Sequence, residues 1–217
     1  MIGGPAMTLT TSNPSAAIRP TDEAPEPTWE VAYLFPAQGT WSVEEYLELK
    51  GNRLIEFSSG IVEVLTMPTM AHQLLVAYLH AALVGFVAPG ALGSLLFAPF
   101  RIRLWENKFR QPDVMFMRAE NAARMSNEFW DGADLVMEVV SDDDRRRDTE
   151  TKRFEYARAG IPEYWLVDPQ QQRITILRLD GQRYAVHGEF SLGQRAGSWL
   201  LPGFEVDVAA AFAAATA

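Results

Sequence analysis

Cysteine is absent from this 217-residue sequence, and histidine occurs only three times. Without cysteine the chain has no disulfides, no thiolate zinc sites and no cysteine nucleophile. His72 and His80 would lie about 80° apart around a helix and lack the i,i+4 spacing of paired ligands, so a histidine zinc centre is not expected. These absences exclude several common kinds of catalytic centre.

Long apolar runs and familiar binding motifs are also missing. No apolar run approaches the roughly 20 residues of a membrane span, and the first residues lack the basic and apolar regions of a signal peptide. We therefore expect a soluble, cytoplasmic protein with no membrane partner. No G-x-S-x-G sequence indicates a hydrolase nucleophile, and no helix-turn-helix, zinc finger or phosphate-binding glycine loop is present.

Positive charge is scarce as well, since the net charge is −9. Residues 1–30 contribute −3 of it, from four acidic residues and one arginine, and −6 remains for the rest. An acidic body does not suit a protein that coats nucleic acid by bulk attraction. A nuclease with this composition would need locally placed cations or a bound metal.

Composition predicts a tail followed by one domain. Residues 1–30 are rich in proline, serine, threonine and alanine with little apolar periodicity, so we expect a disordered tail. The whole chain is 48% hydrophobic, which is enough for one substantial core. Residues 31–217 contain no second linker and no repeat, and we interpret them as a single domain.

Periodicity predicts a mixed β-sheet flanked by helices, which is an α/β fold. Ser42 and Glu45 have the spacing of a capping box, and residues 70–87 have helical apolar periodicity. The runs "NRLIEF"/"IVEVLTM" and "RITILRL"/"RYAVHGEF" are typical of hairpins. Residues 133–168, with "DLVMEVV", "RDTETKRFEYARA" and "EYWLVD", predict a strand–helix–strand crossover.

Three residues around this crossover are candidates for chemistry. Asp113 opens the apolar strand "DVMFM", Glu138 lies inside "DLVMEVV", and Lys152 is on the following helix. An ionised glutamate buried in a strand costs several kcal/mol unless something compensates its charge. Mg²⁺ or Mn²⁺, which prefer hard oxygen ligands, could be held by the two carboxylates, a backbone carbonyl and a substrate phosphate oxygen.

Spacing alone leaves other interpretations open. Asp113 could end a turn, and Glu138 could form a structural pair with Lys152 or an arginine. Lys152 could equally lie on a solvated helix face in its arginine- and glutamate-rich segment. Tyr156, one turn after Lys152, could be a packing residue, and His72 could be an ordinary residue at a helix start.

The motifs "PDVMF", "DLVMEVVS", "K…Y…G-x-x-EYWLVD" and "LPGF" resemble those of the Uma2 family. This family consists of restriction-endonuclease-like proteins of the PD-(D/E)xK nuclease superfamily. The resemblance extends from about residue 41 to 213 and is strongest over residues 111–168. It implies a restriction-endonuclease-like fold, with a mixed sheet flanked by helices in a single domain.

The resemblance also implies roles for individual residues. Asp113 and Glu138 would bind the metal. We add the backbone carbonyl of Val139, the residue after Glu138, as a candidate third ligand. The superfamily's usual lysine position is occupied here by Val140, and the family resemblance transfers that role to Lys152. Secondary candidates complete the site: Glu56, His72 and Tyr156.

The expected function is therefore that of an Mg²⁺- or Mn²⁺-dependent endonuclease. Its metal-activated water would cleave phosphodiester bonds of nucleic acid, with DNA the expected substrate, although the residues leave DNA or RNA open. Two chains would suit cleavage of both strands of a duplex, so a homodimer is expected. The alternative is a catalytically silent member of the fold that acts as a binding or dimerisation module.

Overall fold

The computed structural model describes residues 36–49, 54–141 and 145–216. The tail expected over residues 1–30 lies outside these residues, as do Asp142, Asp143 and Asp144. The strands of the described part are β1 (Ile55–Ser58), β2 (Ile61–Val64), β3 (Gly93–Phe97), β4 (Ile102–Trp105), β5 (Lys108–Arg110), β6 (Val114–Arg118), β7 (Trp130–Asp131), β8 (Leu135–Val139), β9 (Glu163–Asp168), β10 (Arg173–Asp180), β11 (Arg183–Ser191), β12 (Arg195–Gly197) and β13 (Glu205–Asp207).

These strands form two large sheets and one small one. The six-stranded sheet has the order β11-β10-β9-β8-β6-β3, and the five-stranded sheet has the order β2-β1-β5-β4-β7. Strands β12 and β13 pair separately. The prediction of a mixed sheet is confirmed, because β8 and β9 are parallel whereas β6 and β8 are antiparallel. The strand patterns did not specify how the strands divide between sheets.

The α-helical segments occur at the positions that the sequence pattern predicted, whereas the 3₁₀ segment at Ala119–Arg124 was not predicted. They are α1 (Val43–Glu48), α2 (Met70–Val87), a π-helical turn (Arg147–Lys152) that continues as α3 (Arg153–Arg158), and α4 (Val208–Ala214), with a 3₁₀ segment at Ala119–Arg124. We call residues 147–158 the crossover helix. Ser42 and Glu45 form the predicted capping box of α1. The helix predicted over residues 70–87 has those bounds.

Helix α2 is long and apolar enough to cross a membrane by length and composition alone. Within the fold it lies against the six-stranded sheet, where Leu75, Leu79 and Leu83 are completely buried in the core. Its N-terminus is capped by Thr69, whose hydroxyl accepts a hydrogen bond from the His72 backbone N–H. The start of α2 thereby places His72 beside Asp113, directly before the start of β6.

The six-stranded sheet has an apolar core on each face. Because side chains alternate along a strand, Met137 and Val139 of β8 pack in the core that contains α2 and α4. Val136 and Val140 pack in the other core, which contains residues of α3. Glu138 belongs to this second face by the same alternation, and it therefore points toward the crossover helix.

Candidate active site

Strand pairing brings Asp113 and Glu138 together. Strands β6 and β8 are antiparallel, with Val114 opposite Met137. One step further in the same register, Asp113 comes opposite Glu138, at a separation where side chains contact each other. The backbone N–H of Val139 donates a hydrogen bond of 2.8 Å to Asp113 Oδ2, which fixes the aspartate at the end of the strand pair.

Both oxygens of the Glu138 carboxylate have partners from the crossover helix. Lys152 Nζ lies 2.8 Å from Oε2, and the Tyr156 hydroxyl donates a hydrogen bond of 2.5 Å to Oε1. Glu138 is only 2% exposed, so without such partners its charge would carry a large desolvation penalty. In this structure the cation that compensates Glu138 is Lys152.

The crossover helix presents three polar side chains to the sheet. Asp148, Lys152 and Tyr156 follow each other at intervals of four residues, and all three are buried. Lys152 Nζ also contacts Asp148 Oδ1 at 3.0 Å. The Tyr164 hydroxyl donates to the backbone carbonyl of Asp148, which anchors the π-helical turn to β9. Lys152 is therefore not on a solvated helix face.

Lys152 provides, from the crossover helix, the ammonium group that Val140 does not provide at the usual lysine position of the superfamily. Val140 is on the same face of the sheet as Glu138 but packs in the apolar core. The lysine pKa is raised, because the charges of Glu138, Asp148, Glu56 and Asp113 outweigh the lowering effect of burial. Lys152 thus remains an ammonium group at neutral pH.

The pKa of Glu138 is raised to about 8, primarily by burial. The nearby carboxylates Asp113 and Asp148 raise it further, whereas Lys152 lowers it. Three carboxylates therefore surround one buried lysine: Glu138 and Asp148 contact Lys152, and Asp113 acts on it by its charge. Such a cluster has an excess of negative charge when all its acids are ionised.

His72 is the second basic group of the cluster. Its Nε2 lies 3.3 Å from Asp113 Oδ2. Burial would lower its pKa, but the hydrogen bond and charge of Asp113, with the charges of Glu138 and Asp148, raise it overall. Nδ1 of His72 is buried and has no hydrogen-bond partner among the described residues.

Two residues before Asp113 lies Gln111, a buried polar residue that the sequence patterns did not single out. It is 4% exposed, and its Oε1 is buried without a hydrogen-bond partner among the described residues. An oxygen of this kind is also a hard ligand suited to Mg²⁺ or Mn²⁺.

Glu56 lies beside the cluster, in an ion network of its own. It is completely buried and forms ion pairs with Arg110 and Arg147. Its Oε1 accepts a hydrogen bond of 3.2 Å from the Gln111 backbone. Burial would raise the pKa of Glu56, but Lys152 and the two arginines lower it to about 2. Glu56 is therefore close enough to the cluster for the charge of Lys152 to lower its pKa.

Two further acids extend this network. Glu63, which is opposite Glu56 in the β1–β2 hairpin, contacts Arg110 at 3.1 Å and Arg147 at 2.6 Å. Glu155 accepts two hydrogen bonds from Arg110 and contacts Lys108 at 2.7 Å. The network connects the five-stranded sheet to the crossover helix, and no pattern in the sequence indicated any of its ion pairs.

The donor chemistry of the cluster suits Mg²⁺ or Mn²⁺. Asp113 and Glu138 supply hard carboxylate oxygens, and a divalent cation would offset the excess negative charge. Within residues 36–49, 54–141 and 145–216, no three histidine, aspartate or glutamate side chains are arranged to hold a metal by themselves. The protein would thus supply two carboxylates, and other oxygens would complete the coordination.

Comparisons with known proteins agree with this fold. The family model named Uma2, with the description "Putative restriction endonuclease", matches residues 43–209. No curated protein sequence matches the chain significantly.

A solved structure is also similar, that of "a putative nuclease belonging to DUF820 from Anabaena variabilis ATCC 29413". The TM-score is 0.66 at 16% sequence identity, and the match covers 81% of this chain and 99% of the other. At this identity the likeness establishes the fold, which is restriction-endonuclease-like, as predicted. Because the family model matches far more than half of the sequence, the chain belongs to the Uma2 family.

Proposed function

We propose that this protein is a metal-dependent endonuclease that hydrolyses phosphodiester bonds at the Asp113–Glu138–Lys152 cluster. The observation that carries the proposal is the contact of 2.8 Å between buried Lys152 and Glu138, beside Asp113. A nuclease needs adjacent carboxylates for a metal and a cation near the scissile phosphate, and this cluster contains both kinds of group. The Uma2 family and the similar solved structure are both described as nucleases.

Asp113 and Glu138 would hold Mg²⁺ or Mn²⁺, with the backbone carbonyl of Val139 as a third protein ligand. When bound, such an ion polarises the phosphate and lowers the pKa of a coordinated water. Lys152 keeps its proton, because neighbouring carboxylates raise its pKa. It would therefore donate hydrogen bonds to the attacking water or to the phosphate, and it would not act as the general base.

Tyr156 and His72 act through the carboxylates. The Tyr156 hydroxyl donates to Glu138, and its pKa is raised far above the ordinary value by burial and by Glu138. Tyr156 therefore stays protonated and orients the glutamate. His72 contacts Asp113 Oδ2 and restrains the aspartate from the start of α2. Both are positioning residues in this mechanism.

Cleavage of plasmid DNA and of circular single-stranded DNA with Mg²⁺ or Mn²⁺ tests the proposal. We expect the wild type to cut at least one of them, and Asp113→Asn to lose cleavage while it stays folded by circular dichroism. Asp131→Asn is the matched control, since this aspartate pairs with Arg103 at 2.6 Å and has a half-exposed side chain. Full activity of folded Asp113→Asn would refute the assignment.

One observation favours a second candidate, a catalytically silent binding or dimerisation module. Both oxygens of Glu138 are already engaged, by Lys152 and Tyr156. Titration calorimetry with Mn²⁺ on wild type and Glu138→Gln separates the candidates without a substrate. Binding that disappears in the variant supports the nuclease, whereas a wild type that neither binds Mn²⁺ nor cleaves nucleic acid supports the module.

The homodimer belongs to the same proposal. Each chain contains one cluster, so cleavage of both strands of a duplex would use two copies. Sedimentation velocity at working concentration, with and without duplex DNA, tests this point. A monomer that still makes double-strand breaks in single binding events would contradict it.

A further inference from the structure

A cleft of about 670 Å³ lies between the five-stranded sheet and the crossover helix. Its lining includes Arg110 and Arg147, both of which form ion pairs with Glu56. The charge of Lys152 acts on the same glutamate. The crossover helix contributes to both places, since Arg147 lines the cleft and the adjacent Asp148 contacts Lys152 in the candidate active site.

The cations of the cleft differ in their partners. Lys108, Arg110, Arg146 and Arg147 are all in ion pairs with glutamates. Arg158 has no carboxylate partner among the described residues, and its Cζ lies 4.2 Å from the centroid of the Trp105 ring. This stacking orients the guanidinium while its N–H groups stay available, so Arg158 is suited to bind an anion.

An exposed aromatic ring lies one turn before Arg158. Phe154 also lines the cleft, and 66% of it is exposed. Positions four apart on a helix share a face, so the ring and the guanidinium project on the same side of the crossover helix. A phenyl ring exposed beside a cation is the arrangement with which proteins bind unpaired nucleotides, by stacking on the base and contact with the phosphate.

We propose that this cleft binds a single-stranded segment of the nucleic acid, with a base stacked on Phe154 and a phosphate at Arg158. Its volume is within the range of about 300–1,000 Å³ that small-ligand pockets have. Stacking on Phe154 needs an unpaired base, because the bases of a duplex are stacked on each other and do not present a free face. The inference depends on the proposed nuclease function, because it assigns the strand-binding surface of that same site.

Fluorescence anisotropy with a short labelled oligothymidylate in EDTA measures this binding without cleavage. The variants are Phe154→Ala and Arg158→Gln. The control is Arg178→Gln, because Arg178 forms the comparable pair with Trp199 at 5.3 Å outside the cleft. We expect each cleft variant to bind roughly tenfold more weakly, as loss of one stacked base does, and Arg158→Gln to show a shallower salt dependence. The control should bind like wild type.

Three results would overturn the inference: no binding of the oligothymidylate by wild type, equal affinity of wild type and Phe154→Ala, or equally tight binding of a duplex of the same length. The variant Asp113→Asn distinguishes failure of the cleft assignment from failure of the proposed nuclease function. It should bind the oligothymidylate like wild type and lose only cleavage. An inactive wild type that binds the strand through Phe154 would contradict the nuclease assignment and leave the cleft assignment standing.

Discussion

At the scale of single residues, Glu138 and Lys152 depend on each other. The carboxylate is buried in an apolar strand, and the ammonium group that compensates it comes from another element. A buried ion pair contributes little net stability, but removing one partner leaves the other charge desolvated and alone. Each residue of the pair therefore requires the other, although the ion pair as a whole contributes little to the free energy of unfolding.

At pH 9, where Glu138 with its raised pKa of about 8 is ionised in wild type, Lys152→Met should lower the free energy of unfolding by about 3–5 kcal/mol, because the carboxylate loses its compensating charge. The double variant Lys152→Met/Glu138→Gln should be more stable than Lys152→Met alone, since no buried charge remains unpaired in that contact. Urea denaturation of the two single variants, the double variant and wild type measures this coupling. Additive changes would contradict the dependence.

At the scale of elements, buried carboxylates connect segments that are distant in the sequence. Glu163, the first residue of β9, is completely buried. Its carboxylate accepts four hydrogen bonds, from Trp165 Nε1, Ser198 Oγ and the backbone N–H groups of Trp199 and Leu200. These bonds hold the loop after β12 against the six-stranded sheet, so Glu163 has a structural role.

Glu163→Gln should destabilise the fold by about 2–3 kcal/mol, because charged acceptors form stronger hydrogen bonds and one buried donor loses its partner. Thermal denaturation measures the loss, and faster hydrogen exchange at the Trp199 and Leu200 amides locates it. Glu205→Gln is the control, since Glu205 pairs with Arg195 on the surface at 2.8 Å. That variant should change stability by less than about 1 kcal/mol. Equal effects of the two substitutions would contradict the assignment.

At the scale of the whole molecule, the buried acids make stability depend on pH in two opposite ways. The pKa of Glu138 is raised from 4.5 to about 8, and that of His72 is also raised. Above pH 4.5 the folded chain thus binds more protons than the unfolded chain, so stability falls as pH rises toward 8. Glu56, whose pKa is lowered to about 2, contributes stability that is lost as pH falls below 4.5.

Without metal, the free energy of unfolding should be highest at about pH 5 and decline toward pH 8. Urea denaturation in EDTA across this range measures the decline. Glu138→Gln should flatten it, because the amide does not titrate, while Glu205→Gln should leave it unchanged. Constant or rising stability from pH 5 to pH 8 in wild type would contradict the conclusion that the folded chain binds more protons than the unfolded chain.

Local signals in the sequence determined much of the architecture. The capping box of α1 and the bounds of α2 depend on contacts within a few residues, and the β10–β11 hairpin was indicated by Asp180–Gly181. The crossover from β8 to β9 followed from the order of strand, helix and strand. The family motifs determined the restriction-endonuclease-like fold in the same way, because their order and spacing are specific.

Other features were decided only by tertiary structure. Strand β5 is short and polar, and its residues Lys108 and Arg110 are buried by ion pairs with Glu155 from the crossover helix. Apolar periodicity gives no signal for such a strand, and the division into two sheets follows from pairings that no local pattern contains. The ion-pair partners of Glu56, Arg110 and Arg147, could not be predicted either, because they are distant from it in the sequence.

The candidate site combines both kinds of information. The sequence by itself determined that Glu138 is an acid in an apolar strand and that Asp113 directly precedes another apolar strand. Only the tertiary structure decided that Lys152 reaches that acid and that Gln111 has a buried oxygen without a partner among the described residues. The physical reason is that the charge state of a buried group depends on every group packed around it. Those neighbours come from elements far apart in the chain.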